Sequence, residues 1–162
     1  MVLNRQRAVR VSISTLTAFL ARARRALRLK GSECAVCLVS DQEMARLNRT
    51  FRGKSGPTDV LSFPADQPQV RARRISASRF PDLLTSRHRY LGDIAIAPGV
   101  ARRNARRSGR TLEAELRILV LHGILHLLGY DHESDNGEMK RLEGRLRRRL
   151  GLEGNSQLRA GK

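Results

Sequence analysis

Three histidines, His122, His126 and His132, fall inside HGILHLLGYDH, residues 122–132, of a chain that has only four. His122 and His126 are four apart in a helical stretch, so both rings leave one face about a turn from each other. That is the spacing of two ligands on one metal. Gly129 lets the chain leave the helix sharply through a left-handed conformation, and Tyr130-Asp131-His132 can then turn a third imidazole back to the same ion. Three nitrogens leave the fourth position of a tetrahedral zinc for water, the pattern of a catalytic rather than a closed structural site. Nitrogen ligands favour zinc, although the spacing by itself also admits nickel or iron. Without a metal, three buried imidazoles would need three separate sets of hydrogen-bond partners.

The spacing resembles that of the metzincin peptidases, HExxHxxGxxH, with one departure. Gly123 stands where those enzymes carry the glutamate that moves the proton of water, which argues against proteolysis. A proton acceptor is not evident elsewhere. Asp131 adjoins a candidate ligand and either takes the proton or, the favoured reading, orients a histidine through its second nitrogen. Asp59 and Asp93 fall near strands and are read as readily as caps or structural acceptors.

The elements that must hold this cluster are legible from pattern. A weak alternation over 2–13 suggests a first strand. Ser14 is expected to cap a helix with the stripe Leu16, Phe19, Leu20, Ala23 and Leu27, closed by Gly31, and arginines on its other face. CAVCLVS reads as a strand. SDQE at 40–43 reads as a capping box opening a helix with Met44, Leu47 and Phe51 on its buried side. DVLSF, stopped by Pro64, and YLGDIAIAP are further strands, and 64–89 reads as a long exposed loop. A helix over 99–108 precedes the principal one, capped by Thr111, apolar nearly all round between 116 and 128, and ended by Gly129. Asp135 and Glu138 suggest a capping box for a last helix striped by Met139, Leu142, Leu146 and Leu150, and 151–162 reads as a frayed tail. The whole chain, 1–162, reads as one α+β domain of three or four strands against several helices, with the metal site on the central helix and the turn after it.

The formal net charge is +17, from 32 basic against 15 acidic residues. Such a field suits a polyanion, with nucleic acid favoured over an anionic membrane. Aromatic residues make up only 4% and Trp is absent, so phosphate and shape contacts are expected to outweigh base stacking. Arg102, Arg103, Arg106 and Arg107 are candidates for that contact. Cys34 and Cys37 lie in a strand with no second pair to complete a zinc site, and read as buried structural thiols. The N-terminus lacks the apolar core of a signal peptide and no apolar run is long enough to span a bilayer, which suggests a cytoplasmic protein.

At HGILHLLGYDH, with PTDVLSFP at 57–64 and LGDIAIA at 91–97, the chain resembles the YbeY family of endoribonucleases and rRNA maturation factors. The resemblance covers roughly residues 35–150 and holds only in outline before that. It implies a mixed four-stranded sheet packed with helices and a single zinc held by His122, His126 and His132. It also implies that Arg52 lies near the metal as a catalytic residue. The expected activity is a single-strand-specific, zinc-dependent endoribonuclease of 16S rRNA 3′-end maturation and late 30S assembly and quality control. The expected partners are ribosomal RNA and the small ribosomal subunit, with one of its proteins as a candidate, and no membrane and no DNA. The chain departs from the family pattern at Gly109-Arg110-Thr111, where a histidine is common, and at the four arginines of 102–107, where acidic residues are common. A non-catalytic 30S assembly factor with a mainly structural metal remains the alternative reading.

Overall fold

Apolar residues on alternate positions of the strand segments, and at every third or fourth position of the helices, assemble around a single sheet. The computed structural model describes residues 1–65, 89–130 and 137–153. The strands are β1 (Val2–Asn4), β2 (Ser32–Leu38), β3 (Val60–Pro64) and β4 (Arg89–Ile96), in the order β1-β2-β4-β3. β1, β2 and β4 run parallel, whereas β3 is antiparallel to β4, with Ser62 opposite Ile94. Among the described residues the sheet is therefore mixed and four-stranded, as expected. Gly92 sits at a bulge in β4 with φ +133°, and a Cβ there would run into the backbone of Phe63 and Pro64.

The strands' two faces are covered separately. Val36, Leu38, Ile94 and Ile96 face α1 (Ile13–Ala26), α4 (Leu112–Leu127) and α5 (Glu138–Leu150). Leu61, Ala95, Ala97 and the half-buried Phe63 face Met44 and Leu47 of α2 (Asp41–Arg52) and the start of α3 (Pro98–Arg107). α4 lies at the centre. Val120, Leu121, Ile124 and Leu125 are fully buried, each contributing about 1.5–3 kcal/mol of apolar burial. Thr111 caps it by accepting from the Ala114 amide, and Glu113 and Glu115 occupy its first turn. Among the described residues no helix is long and apolar enough to cross a membrane.

Several expected boundaries move. Ser12, not Ser14, caps α1, and the helix stops at Ala26 because Arg28 takes a left-handed φ of +57° well before Gly31. β1 uses only three of the residues in 2–13. Pro98 opens α3 at a position where its missing amide hydrogen costs nothing, rather than merely ending β4. Pro64 and Arg89 belong to strands, so the expected loop loses both ends, and 66–88 lie outside the described residues. Phe51 is 62% exposed instead of buried, its ring edge-on to Phe63 of the edge strand at 5.0 Å. The last helix starts at Glu138 after Gly137, so Glu138 is its first residue and not the third-position partner of a capping box; Asp135 lies outside the described residues. Gly151, with φ +68°, closes α5, and Leu152 folds back into the core at 5% exposure, so the expected frayed tail does not begin at 151. Residues 154–162 also lie outside the description.

Candidate metal centre

From Val120 on, α4 is apolar apart from two polar rings near its C-terminal end, and these converge. His122 and His126 approach with their Nε2 atoms 3.0 Å apart and ring centroids 4.6 Å apart, the planes inclined by 74°. Two imidazole nitrogens on one tetrahedral zinc, each about 2.0–2.1 Å from it, lie about 3.3 Å from each other. The observed separation fits shared ligation to within a few tenths of an ångström. The chain then reverses at Gly129, whose φ of +87° is the left-handed conformation expected there. His132 and Asp131 lie outside the described residues. Among the described residues, no group of three or more His, Cys, Asp and Glu side chains is gathered to hold a metal.

A residue with no place in the sequence reading stands behind His122. Glu143 of α5 is only 6% exposed, and its Oε2 lies 3.5 Å from His122 Nδ1, a polar contact somewhat longer than an ordinary hydrogen bond. Its Oε1 accepts from Arg147 at 2.6 Å. Burial pushes the Glu143 carboxyl up, but the bonds from His122 and Arg147 outweigh it and hold the group below the usual carboxylate range. An ionised Glu143 at this distance favours the tautomer of His122 with its proton on Nδ1, which would keep the Nε2 lone pair for a metal. One signal could have found it. Glu143 lies four residues after Met139 and three before Leu146, inside the apolar stripe of α5, where a carboxylate without a partner would be costly.

The neighbouring contacts fix the helix in place. Ser62 of β3 donates to the Gly123 carbonyl at 3.2 Å, tying the edge strand to α4 between the two histidines. A Cβ on Gly123 would lie 2.7 Å from Ile94 Cγ2 and 2.9 Å from its Cδ1, so the glycine is a packing requirement.

Arg52 is the exposed last residue of α2, which packs on the opposite face of the sheet from α4. It makes no hydrogen bond or ion pair among the described residues. The turn after it is held by buried Asn48, whose amide donates to the Gly56 carbonyl at 2.9 Å. Asp59 is structural: it accepts from the Val60 amide at 2.9 Å and from Asn104 at 3.0 Å, joining β3 to α3. Asp93 accepts from the Tyr90 hydroxyl at 2.5 Å. Arg102, Arg103, Arg106 and Arg107 are all exposed on α3, but Arg103 is paired with Asp41 at 2.8 Å. Cys34 and Cys37 are free thiols in β2, Cys34 buried and Cys37 half-buried, and burial pushes both up.

The sequence model described as "Endoribonuclease YbeY" matches residues 2–151. The chain belongs to the YbeY family. It is 41% identical over 152 residues to the endoribonuclease YbeY of Koribacter versatilis, covering 94% of this chain and 86% of that one. The YbeY protein of Solibacter usitatus is 45% identical over 122 residues, covering 75% and 69%. Among solved structures, the solution structure of TM1509 from Thermotoga maritima matches with a TM-score of 0.54 and 28% identity, over 98% of each chain. Within the YbeY match lie both described histidines, Glu143, Gly123 and Arg52.

Proposed function

We propose that this chain is a zinc-dependent endoribonuclease acting on single-stranded RNA, in 16S rRNA 3′-end maturation and late 30S assembly and quality control. The observation that carries this reading is the convergence of the His122 and His126 Nε2 atoms with Glu143 behind His122. Membership of the endoribonuclease YbeY family supports the substrate class. His122, His126 and His132 would hold the zinc, with Glu143 fixing the tautomer of His122 and Asp131 giving similar support beside His132. A bound zinc supplies a water of lowered pKa and a Lewis acid for a phosphoryl oxygen. Arg52 pairs with the scissile phosphate or with the charge that develops on it. The basic surface, including Arg102, Arg106 and Arg107, holds the RNA through its phosphates, and the small ribosomal subunit presents the strand to be cut.

The test is cleavage of single-stranded and structured RNA by the purified protein, alongside a chelated sample and His126→Ala. Cleavage of the single strand, lost in both controls, is expected. Cleavage at the full rate in either control contradicts the reading. A second reading, a non-catalytic 30S assembly factor with a mainly structural metal, rests on Gly123, which removes the familiar proton acceptor. It prevails if His126→Ala abolishes cleavage yet still supports small-subunit maturation.

A further inference from the structure

The described aromatic rings are few, and all but one are covered or bonded. Phe19 is buried in the core, Phe63 and Tyr130 are half-buried, and the Tyr90 hydroxyl is held by Asp93. Phe51, at the end of α2, is 62% exposed. A single exposed ring needs no special account, but two further observations set this one apart. Its position is fixed, because it meets the Phe63 ring edge-to-face at 5.0 Å with the planes inclined by 71°. An edge-to-face contact occupies at most one face of the Phe51 ring and leaves the other open. Its surroundings are cationic. From Ala45 to Gly56 the sequence carries Arg46, Arg49, Arg52 and Lys54 and no acidic residue. All four are exposed, and none makes an ion pair among the described residues. The turn after the ring is pinned by the bond from Asn48 to the Gly56 carbonyl, so Arg52 and Lys54 stand beside the ring on a held backbone.

We propose that Phe51 is a stacking platform for one base of single-stranded RNA, with Arg52 and Lys54 taking the adjoining phosphates. An aromatic face accepts any base, while cations without acidic partners select a polyanion over an apolar protein partner. The platform also has a place relative to the metal centre. β3 is the edge strand of the described sheet beside β4. Ser62 and Phe63 are neighbours on it, so their side chains leave opposite faces. Ser62 reaches the Gly123 carbonyl, between His122 and His126, and Phe63 reaches Phe51. The ring and the histidines therefore flank one edge strand, and an RNA strand bent over that edge meets both. The inference rests on the reading of the protein as one that acts on RNA, and adds which side chain holds a base and so sets the register of the strand.

The experiment is stopped-flow fluorescence anisotropy, which reads binding ahead of cleavage, with two labelled probes of equal length. One is oligouridine and the other an abasic oligomer, a ribose-phosphate chain with no bases. The intact protein as purified is compared with Phe51→Leu, Phe51→Tyr and Lys54→Gln at several salt concentrations. Phe51→Leu keeps an apolar side chain without a ring, and is expected to melt within about 3 °C of the intact protein. It is expected to bind oligouridine about tenfold more weakly, at an unchanged slope of log affinity against log salt, and to bind the abasic oligomer as the intact protein does. Phe51→Tyr, which keeps the ring, is expected to retain the affinity. Lys54→Gln is expected to weaken binding of both probes and to flatten the slope by about 0.7. Full oligouridine affinity in Phe51→Leu, or an equal loss for both probes, overturns the platform while RNA binding stands. No RNA binding by the intact protein overturns the underlying reading as well. A second copy of the chain is the rival occupant of the ring. A dimer that Phe51→Leu dissociates in sedimentation, with oligouridine affinity unchanged, assigns the ring to an interface between copies and contradicts the proposal.

Discussion

Gly123 of α4 lies against Ile94 of β4 so closely that a Cβ on the glycine would stand 2.7 Å from the Ile94 Cγ2 atom. The helix that carries His122 and His126 is seated on the sheet through this contact, and both residues are buried. Gly123→Ala gains helix propensity of about 1 kcal/mol but overpacks a filled contact at about 1–3 kcal/mol, for a net destabilisation on the order of 1 kcal/mol. Urea denaturation checks it through a lower midpoint at unchanged slope. Gly123→Glu, which would restore the peptidase pattern, is expected to disrupt folding and to yield no peptidase activity. A stable Gly123→Glu protein that cleaves peptides in a chelator-sensitive way contradicts both the packing argument and the assignment of class.

Glu143 is expected to matter to metal affinity without touching the metal. Glu143→Ala removes the acceptor behind His122 and is expected to weaken zinc binding about 10–100-fold. Glu143→Gln, which keeps an acceptor oxygen but not the charge, should lie between. Competition against a chromophoric chelator measures this directly. Unchanged zinc affinity in Glu143→Ala would reduce the residue to an ion-pair partner of Arg147.

Arg52 is exposed at the end of α2, so its removal is expected to cost stability within roughly 0.5 kcal/mol. Under the proposed role, Arg52→Ala keeps its zinc and its melting temperature while RNA cleavage falls by about 100-fold or more. Arg52→Lys restores part of it, because one ammonium cannot copy a bidentate guanidinium. Cleavage by Arg52→Ala at the intact rate removes the residue from the mechanism.

Burial pushes the thiols of Cys34 and Cys37 up, so both are protonated at neutral pH. Alkylation by iodoacetamide near pH 7 is expected to be slow in the native protein and fast in urea, since the thiolate is the nucleophile. Replacing both with Ser is expected to leave zinc content unchanged. Rapid native alkylation, counted by mass spectrometry, contradicts the assignment as structural thiols.

Much of this arrangement was legible in the sequence wherever one residue type answers one physical need. Thr111 and Ser40 cap the helices they were expected to cap, because a short hydroxyl before an apolar period has few other uses. The four-residue spacing of His122 and His126 dictates their convergence, and Gly129 takes its left-handed turn. Tertiary placement was less legible. Periodicity puts Phe51 on the same line as Met44 and Leu47, but the line runs past the covered part of the sheet and leaves the ring exposed beside Phe63. Gly123 reads from sequence as a missing catalytic group, and only the distance to Ile94 gives it a packing reason. Glu143 was hidden for a similar cause: its partner, His122, is 21 positions away on another helix, and a local pattern contains no such pairing.

The central claim is that His122, His126 and His132 together hold one zinc, and elemental analysis of the purified protein tests it most directly. About one zinc per chain is expected, with occupancy falling strongly in each of His122→Ala, His126→Ala and His132→Ala and the melting temperature falling with it. Protein purified without metal, or full occupancy in the triple-alanine variant, would contradict it.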